Sequence, residues 1–144
     1  MSDINTIQNE IIEEFEILGD DKESTIYYIM ELGEKLVAYP ENERTEDNII
    51  KGCQSKVWLT TAYENDTVIF LADSNTDITK GLISLLIRVY SGKKPDDIIN
   101  SDLYFIDKIG MGNIIGSQRS NGLAAMIKQM KRYALAYQTK SKAL

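Results

Sequence analysis

The one thiol in the chain is Cys53, set in Lys51-Gly52-Cys53-Gln54-Ser55-Lys56. A thiolate attacks sulfur–sulfur bonds and binds soft metals, and its supply depends on what moves the thiol from its free pKa of about 8.5. Lys51 and Lys56 bring positive charge that favours the thiolate. Gly52 admits backbone angles closed to other residues and leaves room for a second molecule at the sulfur. Gln54 and Ser55 are residue types that shape loops by local hydrogen bonding. Against this stands the packing role of a free cysteine, a small hydrophobe often found inside. The polar flanks argue against an apolar anchor, but the residues by themselves leave both readings open.

Two absences narrow the chemistry. There is no histidine, which excludes Ser–His–Asp and Cys–His catalysis and removes the commonest metal ligand. One cysteine cannot make a disulfide within the chain or a Cys-rich zinc or iron–sulfur cage. The 22 acidic residues leave a carboxylate-only metal site open, but no loop has calcium-binding spacing and no metal ligand is assigned. A net charge of −6 and a pI near 4.7 disfavour nucleic acid and anionic membranes as partners. No apolar run approaches the ~20 residues that span a bilayer. Met1-Ser2-Asp3-Ile4-Asn5 lacks the basic and apolar regions of a signal peptide, so a cytoplasmic protein is expected. With 144 residues, 43% apolar and 26% charged, one domain over 1–144 is the default.

The elements that must position Cys53 follow from periodicity. Ile4, Ile7, Ile11 and Phe15 form one stripe, predicting a helix from Ile4 to about Leu18 within an N-terminal segment 1–20. Asp20 with Glu23 resembles a capping box, and a second helix runs to about Val37 with Ile26, Ile29, Met30, Gly33 and Leu36 inward. Gly33, costly in a helix, marks a close approach to a neighbour. Pro40 ends it, and a polar connector rich in charge reaches Gly52; Glu41, Glu43, Glu46 and Asp47 read as a solvated face or a recognition strip. Val57–Tyr63 and Thr67–Ala72, joined through Glu64-Asn65-Asp66, predict a hairpin. A lone hairpin is marginal and needs a third strand or covering helices; the connector before Cys53 is the candidate for such a strand.

Asp73-Ser74-Asn75-Thr76 closes the hairpin and offers a cap for an apolar helix from Asp77 to about Tyr90. Short helices are expected over Pro95–Ile99 and Asp102–Ile109. Gly110-Met111-Gly112-Asn113 reads as a link, Gly116 as another joint, and Asn121–Gln138 as the last helix, with 139–144 a frayed tail. The fold class is α+β, a small antiparallel sheet with helices packed on one side.

The string Asn48-Ile49-Ile50-Lys51-Gly52-Cys53-Gln54-Ser55-Lys56-Val57-Trp58-Leu59 resembles the signature of the SufE family of cysteine desulfuration proteins. Three further blocks resemble family segments in family order: Tyr28–Gly33, Asp73-Ser74 through Ile78–Leu82, and Arg119–Leu123 with Met126-Ile127. The similarity spans roughly Lys22 to Tyr137. It implies a fold related to iron–sulfur scaffolds of the IscU type. It also implies that Cys53 accepts sulfane sulfur from a SufS/CsdA-like cysteine desulfurase, stimulates that enzyme, and passes sulfur to a SufBCD-like scaffold. The resemblance further implies that the pyridoxal phosphate belongs to the desulfurase, that this chain needs no cofactor beyond a transient persulfide, and that it acts as an accessory sulfur-transfer protein rather than a stand-alone enzyme. Members can shield the cysteine against the protein body, with Trp58, Tyr63 and the helix around Leu82 as candidates for the cover here. The proline and histidine that family members often carry near the arginine are missing from Ile114–Gln118.

Arg119 has two readings, a pairing with Asp73 or another carboxylate that holds the loop near the last helix, or a contact with a partner. Alternative functions are an iron–sulfur scaffold, which one thiol per chain serves poorly, and a noncatalytic binding module in which Cys53 only packs. The sequence leaves homodimerisation open.

Overall fold

The computed structural model of the chain describes residues 3–143, with side chains through Lys140. Helix α1, Ile4–Ile17, is capped by the Asp3 carboxylate, which accepts from the Thr6 N–H at 2.7 Å, and it buries the Ile4/Ile7/Ile11/Phe15 stripe. Gln8, on the same face, is fully buried; its amide donates to the Asp102 carbonyl at 3.0 Å and accepts from the Phe105 N–H at 3.1 Å, fastening α1 to a distant loop. Helix α2, Lys22–Glu34, starts one residue later than the capping-box reading: Asp21, not Asp20, accepts from the N–H groups of Glu23 and Ser24. It also ends three residues before Val37, since Lys35 already caps it.

The hairpin is β1, Val57–Glu64, and β2, Thr67–Ser74, paired antiparallel with Leu59 opposite Ala72 and Trp58 opposite Asp73. Its turn places Asn65 and Asp66 at φ of 52° and 62°, the paired left-handed geometry that matches strand twist. No third strand forms among the described residues. The connector instead makes two short 3₁₀ turns, Glu41–Glu43 and Glu46–Asn48, and reaches β1 through a single bridge, Ile49 to Trp58. On the other edge Val68 bridges Lys93. Each outer edge of the hairpin thus carries one such bridge.

Alternation along the strands gives two faces. Val57, Leu59, Val68, Phe70 and Ala72 point to the helical side and are buried. Helix α3, Asp77–Tyr90, lies there, buried on several sides through Leu82, Ile83, Leu85, Leu86 and Val89. It crosses α2 at two glycines. A Cβ on Gly33 would stand 2.7 Å from the Gly81 nitrogen, and one on Gly81 only 2.0 Å from the Ile29 carbonyl oxygen. The close approach read from Gly33 is therefore real, and Gly81 is its partner.

Two short helices follow, α4 at Pro95–Ile99 and α5 at Phe105–Lys108, shorter than the Asp102–Ile109 reading. The expected link at Gly110–Asn113 is in fact the start of a helix. Helix α6 spans Met111–Ala143, broken once at Gly116, whose φ of 83° and ψ of 171° turn the chain between a short first part and a long second one. Burial of Met111 and Ile115 against the core outweighs the poor helix propensity of the flanking glycines. The tail expected to fray from 139 onward is helical in backbone through Ala143, with Leu144 outside the described residues. Tyr137 of α6 stacks on Tyr63 at 5.0 Å and its hydroxyl meets Thr61 at 2.9 Å, closing the helical layer over the far end of β1.

Candidate thiol site

The residues around Cys53 form a short closed loop. Its neck is tied where the Ile50 N–H donates to the Val57 carbonyl at 2.8 Å, with both residues buried. The descending side is tied again: Lys56 donates to the Asn75 side chain at 3.0 Å, and its carbonyl accepts from the Ser74 hydroxyl at 2.9 Å. Gly52 takes φ of 95° at the tip, a conformation that strains any residue with a Cβ, and it lies close to Ala125 of α6. The sequence thus fixes the loop's base and leaves its tip to side-chain contacts.

Cys53 is half-buried. Its Sγ donates to the Gly122 carbonyl at 3.5 Å and faces a hollow of about 100 Å³ lined by Ser55, Thr76, Thr79, Leu82, Arg119, Gly122 and Met126, among others. The hydroxyls of Ser55, Thr76 and Thr79 form a chain along it, at 2.9 Å and 3.3 Å. Thr76, the N-cap residue of α3, spends its side chain on Ser55 rather than on the helix. Ser55 therefore shapes the loop as its residue type predicts. Gln54 is exposed and lines the same hollow.

Three expectations change. Burial pushes the Cys53 thiol above its ordinary value, and Lys51 and Lys56, both exposed, do not counter it; at rest the site favours the protonated thiol. Asp73 does not pair with Arg119. It pairs with Arg44 at 2.6 Å and Lys80 at 3.5 Å, on the sheet face opposite the helices. Arg119 makes no ion pair among the described residues and stands exposed at the rim of the thiol hollow. Leu82 lines the hollow beside the sulfur together with Gly122 and Met126 of α6. Trp58 lies under the Arg44 guanidinium, 5.1 Å from its ring centre, and Tyr63 is taken by Tyr137.

Sequence reasoning offered Thr76 only as part of a helix cap and gave Thr79, Gly122 and Met126 no place at the thiol. The signal was present, because all four stand within the blocks Asp73–Leu82 and Arg119–Ile127 that carry the resemblance, but nothing local links those blocks to a thiol more than twenty residues away.

The family model of SufE, the Fe-S metabolism associated domain, matches residues 9–134. The chain belongs to the SufE family. Among its relatives are uncharacterized SufE-like proteins of Rhizobium etli, 39% identical with 88% of each chain covered, and of Rhizobium meliloti, 37% identical with 90% of this chain and 95% of that one covered. The cysteine desulfuration protein SufE of Wigglesworthia glossinidia brevipalpis is 36% identical, covering 85% of this chain and 86% of its own. The α+β fold of this SufE-family chain is also similar to the solution structure of a hypothetical protein from Thermus thermophilus, with a TM-score of 0.75 at 18% identity over 92% and 96% of the two chains. No helix among the described residues is long and apolar enough to cross a membrane, and no group of three or more acidic or cysteine side chains among them is placed to hold a metal ion.

Proposed function

We propose that this protein carries sulfur on Cys53, accepting it from the persulfide of a cysteine desulfurase in the cytoplasm and delivering it to an iron–sulfur scaffold. The observation that carries the reading is the construction of the loop: its base is hydrogen-bonded into the sheet, while its reactive tip is held by one sulfur hydrogen bond at 3.5 Å and two hydroxyl hydrogen bonds at 2.9 Å and 3.3 Å. Net values near 1 kcal/mol per neutral hydrogen bond put the cost of lifting the tip at about 1–3 kcal/mol, within reach of the binding energy of a protein partner. The name of the Wigglesworthia relative, a cysteine desulfuration protein, supports the same chemistry.

In the transfer, the Cys53 thiolate attacks the terminal sulfur of the donor persulfide. The donor's sulfur–sulfur bond breaks, its thiolate leaves, and Cys53 carries –S–SH with no net oxidation. At rest the raised pKa keeps Cys53 protonated and slow to react with stray oxidants. Lifting the tip into water removes the desolvation that raises the pKa, so activation accompanies contact with the donor. Folded back, the terminal sulfur would lie along the hollow beside Thr79 and Arg119.

Intact-mass measurement after incubation with a cysteine desulfurase, its pyridoxal phosphate and cysteine tests the proposal. A gain of one sulfur atom is expected, lost on reduction and absent in Cys53→Ser. An unchanged mass while the desulfurase turns over would sink it. An anaerobic reconstitution that produced visible absorbance would favour the scaffold reading instead.

A further inference from the structure

Charge along this chain is unevenly placed. From Met111 to Leu144 there is no acidic residue at all, while six of the 16 basic ones lie there; the first 110 residues hold all 22 acidic residues against the remaining ten. Helix α6 is thus a cationic rod on an acidic body. On it lies an open apolar groove of about 490 Å³ between α4 and α6, floored by Ile99, Ala124, Ile127 and Leu135 and edged by Lys128 and Arg132. Leu135 is 51% exposed, one of four large hydrophobic residues left so bare among the described residues. Neither edge cation makes an ion pair among the described residues; the ion pairs present all involve Arg44, Lys80 or Arg88.

An apolar floor with unpaired cations along one edge matches an amphipathic helix that lays down leucine-like side chains and presents carboxylates beside them. We propose that this groove docks an acidic amphipathic helix of a partner protein. Its position adds a consequence. At 3.6 residues per turn, Ala124, Ile127, Lys128 and Leu135 lie roughly opposite Gly122 and Met126 around α6, and it is the latter pair that walls the thiol. A partner held in the groove leaves Cys53 uncovered, so docking and thiol chemistry use different faces of one helix. The inference does not depend on the persulfide reading.

The test uses the full chain and a 14-residue synthetic peptide with leucine at helical i, i+3, i+4, i+7 spacing and glutamate at most other positions. Two controls accompany it, the same leucines with lysines, and polyglutamate. Saturable binding of the acidic helix, with amide shifts confined to α4 and the 124–135 stretch of α6, is expected. Leu135→Glu and the pair Lys128→Glu/Arg132→Glu, all exposed positions, should each weaken it at least tenfold while leaving the far-ultraviolet spectrum and the Cys53 alkylation rate unchanged. Equal binding by polyglutamate or the lysine peptide, shifts elsewhere, no binding, or self-association of the chain through the same residues would each overturn the proposal.

Discussion

The Cys53 sulfur and the Gly122 carbonyl meet at 3.5 Å across 69 residues of sequence, and a Cβ on Gly122 would stand 3.6 Å from that same sulfur. Glycine inside a helix is destabilising by about 0.5–1 kcal/mol relative to alanine, so the bare position beside the thiol is kept at a cost. Gly122→Ala, which introduces an ordinary contact and no clash, should raise stability by about that amount while filling room that a persulfide would occupy. Thermal unfolding and the initial rate of sulfur loading check the two halves: a more stable protein that loads sulfur several-fold more slowly is expected.

The buried thiol makes reactivity depend on pH in a stated direction. Because burial raises the Cys53 pKa, alkylation by iodoacetamide should reach its midpoint above that of a free thiol near 8.5, and unfolding in urea should return it there. The linked stability has a fixed sign. A group whose folded pKa lies above its unfolded value contributes stability that is complete below the unfolded pKa and is lost as pH rises through the folded one. Wild type should therefore lose stability relative to Cys53→Ser as pH rises above the free-thiol value of about 8.5, as measured by urea midpoints on either side of it.

Much of this architecture is legible in local pattern. Ile4, Ile7, Ile11 and Phe15 declare α1 by spacing, Asp77–Tyr90 appears as read, and the hairpin is announced by its β-branched strands and Asn-Asp turn. What pattern misses is decided by distant packing. Gly110–Asn113 looks like a link because glycine is a poor helix former, yet burial of Met111 and Ile115 makes it helical. Asp73 and Arg119 are both charged and near the site in sequence blocks, but the sheet pleat sends the Asp73 side chain to the face away from α6, where Arg44 waits. Lys51 and Lys56 flank Cys53 in sequence, yet they are exposed while the sulfur turns inward. Cys53 stands alone as a thiol in the sequence, whereas Gly122 and Met126 come to it only through the packing of α6.

The crossing of α2 and α3 yields a stability series. Gly81→Ala places a methyl 2.0 Å from the Ile29 carbonyl oxygen, and Gly33→Ala one 2.7 Å from the Gly81 nitrogen; both obstacles are backbone. Neither helix can give way without moving the core, so Gly81→Ala should cost about 3 kcal/mol or more and Gly33→Ala somewhat less. Gly19 has open space around it and only a φ of 69° to satisfy, so Gly19→Ala should cost about 1 kcal/mol. Urea denaturation that ranked Gly19→Ala as the most damaging would contradict the close crossing.

Arg44 joins the connector to the outer face of the sheet. Its guanidinium bonds Asp73 at 2.6 Å and Glu41 at 2.9 Å and lies 5.1 Å from the Trp58 ring centre and 5.4 Å from that of Tyr39. Tyr39 in turn hydrogen-bonds the Thr60 hydroxyl. Arg44→Ala leaves the mostly buried Asp73 carboxylate with Lys80 alone at 3.5 Å, and should cost about 1–2 kcal/mol. Burial works to raise the Asp73 pKa, but the hydrogen bonds from Arg44 and the Ser74 N–H and the charge of Lys80 outweigh it and hold the carboxyl below its usual value. A depressed folded pKa contributes stability that is present above the unfolded pKa, about 3.9, and is lost as pH falls through the folded one. The gap between wild type and Asp73→Asn should therefore be full at neutral pH and close below about pH 4. Trp58 is the one tryptophan in the chain, so its emission reports the latch directly: a change in intensity on Arg44→Ala at neutral pH, well before unfolding, is the expected sign that the guanidinium has left the ring, and an unchanged spectrum would show that Arg44 does not hold the connector there.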